Sequence, residues 1–153
     1  MITLLYISIL VFVLYLIGII VYKGIPPSIS DSYYVLGENK LISSLFTWFC
    51  WLVSITLLPY WIESGGGVLA FLACGALGFV GAAPLFKSHQ KTIHFASATV
   101  CFLSAYAWLL INSTTIFFIS LAVLGILCFV KKRTFWWEIT AFVTIYTSLI
   151  LTE

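Results

Sequence analysis

Charge is scarce in this 153-residue chain, where only 8% of residues are Asp, Glu, Lys or Arg, against about a quarter in an ordinary soluble domain. So little charge excludes a water-facing surface over most of the molecule. The four cysteines, Cys50, Cys74, Cys101 and Cys128, all fall inside apolar runs, where a thiol behaves as a small hydrophobe. They form neither a disulfide framework nor a zinc knuckle by spacing. No alternating strand pattern is present, and Gly65-Gly66-Gly67 reads as a turn, not as a phosphate loop between strand and helix. Nucleotide and nucleic-acid binding therefore have no support, and no cofactor is called for.

What the sequence has in abundance is apolar length: 63% of residues are hydrophobic and the mean hydropathy is +1.17. A membrane span needs about 20 such residues. The runs predict six spans at about 2–22, 41–62, 67–86, 93–111, 115–130 and 135–151. The expectation is an all-α, polytopic membrane helix bundle, one integral membrane domain over 1–153, with the fifth and sixth spans at the short end of the spanning range. The first run has no basic segment before it and no small-residue cleavage pattern after it, so it reads as a retained helix.

The longest connection, 25–40, begins with Pro26-Pro27, which cannot continue a helix, and carries Ser28-Ile29-Ser30-Asp31-Ser32, whose side-chain oxygens cap and turn a backbone. Glu38 and Asn39 follow as candidate caps of the second span. All the basic residues, Lys23, Lys40, Lys87, Lys91, Lys131, Lys132 and Arg133, fall on alternate connections. By the positive-inside rule these loops are cytoplasmic and both termini lie outside.

The centre of the chain, 65–112, reads as its organising part. Gly66, Ala70, Cys74, Gly78 and Ala82 recur every four residues, the small-residue spacing that lets a neighbouring backbone approach closely. Gly78→Leu is expected to be more damaging than any polar change. Asn112 falls on the same helical face as His94, at its other end.

Ionisable groups at a bilayer are costly, so they are the candidate site. Ser30, Asp31 and His94 are the catalytic candidates. Asp31 reads either as a loop cap or as a carboxylate that orients His94, and His94 either as a partner of a loop carbonyl or as a general base. Lys87, His89, Lys91, Lys131, Lys132 and Arg133 read as lipid-headgroup contacts. His89 and His94 are five apart, a spacing that does not put two ligands on one helix face, so no metal site is expected. Glu138 reads as an interfacial carboxylate paired with Lys131, Lys132 or Arg133. It points away from the hydroxyl stripe of Thr140, Thr144, Thr147 and Ser148, so if those face the bundle it faces lipid or a second subunit.

The order of these features resembles the six-helix family of DRAM-type autophagy modulators and Frag/Sfk-like lipid-remodelling factors, with their bacterial relatives. The matching pieces are Pro27-Ser28-Ile29-Ser30-Asp31 after the first span, a Gly-rich third span ending in Pro84-Leu85-Phe86-Lys87, and His94 ahead of Ala96-Ser97-Ala98. They cover the first two-thirds of the chain. The family carries its first loop on the lumenal or external side, whereas charge here puts Asp31 inside. The resemblance implies a protein that handles or modifies lipid, with Asp31 and His94 as the carried-over polar pair.

Together these readings predict a membrane protein that binds or modifies membrane lipid at a polar, cytoplasmic-side mouth. In an enzymatic version His94 is the base, Asp31 orients it, and Ser30 or water attacks. Whether the protein is an enzyme stays open. The alternatives are a small oligomeric pore lined by the hydroxyls of the second and sixth spans or a membrane-perturbing effector, and a structural subunit of a larger membrane complex, with a homo-oligomer or a membrane protein partner possible.

Overall fold

The computed structural model describes residues 1–36 and 40–152. Glu38 and Asn39, the expected caps, lie outside the described residues. The described chain is an all-α bundle: α1 (Ile2–Lys23), a short α2 (Ser32–Val35), α3 (Lys40–Trp61), α4 (Gly67–Ala82), α5 (Gln90–Asn112), α6 (Thr114–Leu127) and α7 (Arg133–Leu151). Six of these are long, at the six places the apolar runs predict. Four helical stretches are long and apolar enough to cross a membrane, and one of them, Ser43–Phe86, contains both α3 and α4. That is the fold of an integral membrane protein. At 14 residues, α6 is about 21 Å long, shorter than a bilayer core of roughly 30 Å.

α3 and α4 form an antiparallel hairpin because the chain leaves helical geometry at Ser64 and Gly65, where Gly65 takes φ 80°. A left-handed backbone costs a residue without Cβ nothing extra, which suits glycine to this turn. The partners across the hairpin fix its register. Thr47 Oγ1 donates to the Gly81 carbonyl at 2.7 Å, and Trp51 Nε1 donates to the Gly78 carbonyl at 3.1 Å. The closest approach is at Gly81, where a Cβ would sit 2.6 Å from Cys50 Cβ. At Gly78 a Cβ would meet nothing within 4 Å.

The expected close-packing position is therefore displaced along α4. Of the five residues in the four-residue stripe, Gly66, Ala70 and Cys74 are buried, whereas Gly78 and Ala82 are half-buried. A strict four-residue spacing drifts around a 3.6-residue helix, so by the third turn the contact has moved to Gly81.

Side-chain hydrogen bonds tie α7 to several neighbours. Tyr146 Oη and Ser8 Oγ meet at 2.9 Å, tying it to α1, and Tyr60 Oη donates to the Leu149 carbonyl at 3.4 Å, tying it to α3. Ser148 meets Ser113 at 2.5 Å, and Trp137 Nε1 donates to the Leu124 carbonyl at 3.1 Å, bringing in the α5–α6 link and α6. Aromatic rings fill the space between α1, α3 and α7: Tyr15 stacks on Phe49 at 4.1 Å, and Phe12 lies 4.6 Å from Phe142. Leu5, Val53, Phe135 and Leu149 are fully buried beside them.

Candidate functional site

The connection after α1 does not hang free; it is fastened to the first turns of α7. Phe135 N donates to the Pro27 carbonyl at 3.2 Å, and Lys132 Nζ donates to the Ile25 carbonyl. Lys132 itself takes the left-handed φ of 59°, unusual for a residue with a Cβ, which turns the chain into α7. The Glu138 carboxylate completes the fastening: Ile29 N donates to Oε2, and Ser30 Oγ donates to Oε1 at 3.1 Å. Within the loop, Ser28 Oγ accepts from Asp31 N at 2.9 Å and Ser32 Oγ donates to the Ile29 carbonyl. Tyr15 Oη meets Ser32 Oγ at 2.7 Å, fixing the loop to α1 as well.

Glu138 is thus placed differently from the sequence expectation. Its hydrogen-bond partners are in the chain's own first loop rather than Lys131, Lys132 or Arg133. The acid and the hydroxyls do occupy different sides of α7, as helical geometry requires. Both sides find partners within the chain because α7 has neighbours on several sides.

Next to this polar group lies a cavity of about 510 Å³, lined by α3, α4, α5 and α7. Its α3 wall runs from Phe46 to Trp61, about 22 Å along the helix and longer than one leaflet's share of a roughly 30 Å hydrocarbon core. Ser30 and Glu138 stand at the loop end; the rest of the wall is mostly apolar, with Phe49, Leu77, Ala98, Phe102 and Phe142 among it. Glu138 is the only charged residue among the described lining residues. Phe95, Thr99, Phe102, Leu103 and Thr134 line the cavity and are also exposed, so it opens sideways between α5 and α7. In a bilayer that opening meets lipid.

The sequence-derived candidates distribute unevenly around this cavity. Ser30 is in its wall, hydrogen-bonded to Glu138. Asp31 precedes α2 without a side-chain capping bond, and its charge acts on both His94 and Glu138. Outside the spans, burial first and the Asp31 charge second raise the Tyr34 phenol above its ordinary pKa. His94 is half-buried on the second turn of α5, not at its first residue, because α5 begins at Gln90. Its ring packs edge-on against Phe95 at 5.8 Å, and it has no hydrogen bond to Ser30 or Asp31. His89, Lys91, Lys131, Lys132 and Arg133 are exposed; the side chain of Lys87 lies outside the described residues.

The hydroxyl stripes are largely committed to backbone and to neighbouring helices. Thr140 and Thr144 donate to carbonyls one turn back, at 2.8 and 2.6 Å, as Ser54 does at 2.7 Å. Thr47 and Ser148 bridge between helices. This is the use of Ser and Thr as interhelical fasteners. Sequence reasoning missed the cavity, and although Glu138 stood out at the same end of the bundle as Ser30 and Asp31, it missed the loop as the partner of that carboxylate. The available signal was a lone acid one turn into an apolar span, which is costly unless satisfied internally. No group of three or more potential metal ligands converges among the described residues.

No protein-family profile, curated protein or solved structure matches this chain.

Proposed function

We propose that this protein binds a membrane lipid, taking its hydrocarbon chain into the cavity between α5 and α7 with the lipid's polar head beside Ser30 and Glu138. The observation that carries this reading is the shape and chemistry of that cavity: long, apolar and laterally open, with one polar end. Its volume falls within the roughly 300–1,000 Å³ of sites that take small molecules. A lipid chain enters such a site from the hydrocarbon without crossing water.

The orientation that fits is the one the charges predict, with the basic loops cytoplasmic and both termini outside. Lys132 and Phe135 contact the 25–31 connection directly, so two of the basic connections meet at one end of the bundle. The head would then sit at the cytoplasmic side, framed by exposed Lys91, Lys131 and Arg133. The resemblance to the DRAM and Frag/Sfk-like family points the same way, towards lipid handling. Binding is the activity supported; a reaction would need Ser30 to leave Glu138 and approach His94.

The test is native mass spectrometry of the protein purified in neutral detergent, comparing wild type with Ala141→Trp. Ala141 lines the cavity from α7, one turn along from Glu138, and an indole there fills space that a lipid chain would take. Wild type should carry bound lipid and the variant should lose it while keeping its helicity. Equal lipid retention in the two proteins would reject the cavity as the binding site.

A further inference from the structure

We infer that the lipid head this site selects is a hydrogen-bond-donating cation, so that the ligand class is a long-chain primary amine rather than a fatty acid or a phosphate ester. The inference rests on the reading that the cavity takes a lipid chain, and it adds the chemistry of the head.

The argument starts from the acceptor balance at Glu138. Both of its oxygens accept hydrogen bonds, from Ile29 N and from Ser30 Oγ, with the Ser30 backbone as a further donor to the carboxylate; when ionised, the group is acceptor-only. No basic side chain pairs with it among the described residues. Its charged neighbour is Asp31, another acid. A desolvated carboxylate with hydrogen bonds but no counter-charge is left short of compensation, and a second negative charge nearby deepens the deficit.

Each carboxylate oxygen can accept more than one bond, so Glu138, which lines the cavity, has acceptor capacity beyond these donors. An ammonium head reaching the cavity's polar end would supply donors and the missing charge together, in a charge-assisted hydrogen bond of the stronger kind. An alcohol head would supply the donor alone. A carboxylate or phosphate head would bring like charge against Glu138 and Asp31. The exposed lysines and Arg133 at this end do not reverse that order. They face solvent, where salt screens them, whereas Glu138 stands in the wall beside the bound chain.

The experiment uses the full chain in uncharged detergent and four probes that share one alkyl chain: hexadecylamine, hexadecanol, hexadecanoate and hexadecyl phosphate. Binding is read from tryptophan fluorescence, because Trp61 and Trp137 both line the cavity. Hexadecylamine should bind about tenfold more tightly than hexadecanol, a difference of about 1.4 kcal/mol, with the two anions weakest. Glu138→Gln should remove the amine's advantage while leaving hexadecanol binding in place, and Asp31→Asn should reduce it in part. If Glu138→Gln fails to fold, the wild-type ranking and Asp31→Asn decide alone. Equal binding of all four probes, or preference for either anion, would overturn the head assignment and leave chain binding standing. Failure of all four to bind would overturn chain binding as well.

Discussion

The two sides of α7 are built from similar residues and do opposite things. Towards α1, Phe142 and Tyr146 meet Phe12 and Ser8, and rings fill the contact. Towards α5, Glu138, Ala141 and Ile145 face a cavity. Hydrophobicity cannot separate these sides in a membrane, where lipid tails are as apolar as leucine and helices associate through packing and polar contacts. What separates them is ring interlock and paired hydroxyls on one side, and alanine beside a single acid on the other.

The sharpest way to break this contrast is to remove a ring from the full side. Phe12→Ala, at a residue 4% exposed with three ring neighbours, should cost about 3 kcal/mol in detergent unfolding titrations. Phe102→Ala, in the wall of the open side, should cost less than about 1 kcal/mol in the same titration, since the ring is 39% exposed and gives up less buried surface. Equal losses would mean that the two sides are packed alike.

Next in size is the glycine pair. Gly81→Leu drives a side chain into Cys50 and should destabilise by about 2 kcal/mol or more, whereas Gly78→Leu should melt within a degree or two of wild type. A Gly78 variant that melts as early as the Gly81 variant would put the α3–α4 contact back on the four-residue stripe.

Glu138→Ala should have a smaller effect on stability, about 1–2 kcal/mol, because it leaves Ile29 N without its acceptor. Its signature is local. Amide exchange should speed up over the 28–32 segment and leave the α3–α4 hairpin protected. Unchanged exchange in the loop would show that Lys132 and Phe135 hold it without the acid.

The sequence discloses much of the fold, because membrane helices are encoded by continuous apolar length. The predicted spans at 2–22 and 135–151 fall within a residue or two of α1 and α7. Where span and helix diverge, a local cause is visible. α4 passes into a 3-10 turn at Ala83–His89, around Pro84, and α6 stops at Leu127 before a turn through Cys128 and Phe129.

The site was less legible, for a reason that also lies in the geometry. A helical wheel gives the angle between Glu138 and Ser148 correctly, yet it carries no information about how many neighbours surround α7. The partnership of Glu138 with Ile29 and Ser30 joins residues more than a hundred positions apart through backbone N–H groups and one hydroxyl. None of these donors is marked by residue type as the partner of an acid. Asp31 and His94, the more conspicuous pair, stand near each other electrostatically but outside the cavity wall.

The claim that a lipid chain occupies the open side of α7 is tested most directly by photo-crosslinking. A fatty chain carrying a diazirine would be incorporated into nanodiscs with the full-length protein, irradiated, and the labelled residues mapped by mass spectrometry. Labelling concentrated on Ala98, Cys101 and Ala141, which line the cavity, is the predicted result. Labelling spread over outer positions such as Val21, Val68 and Phe79, with those three residues unmarked, would contradict it.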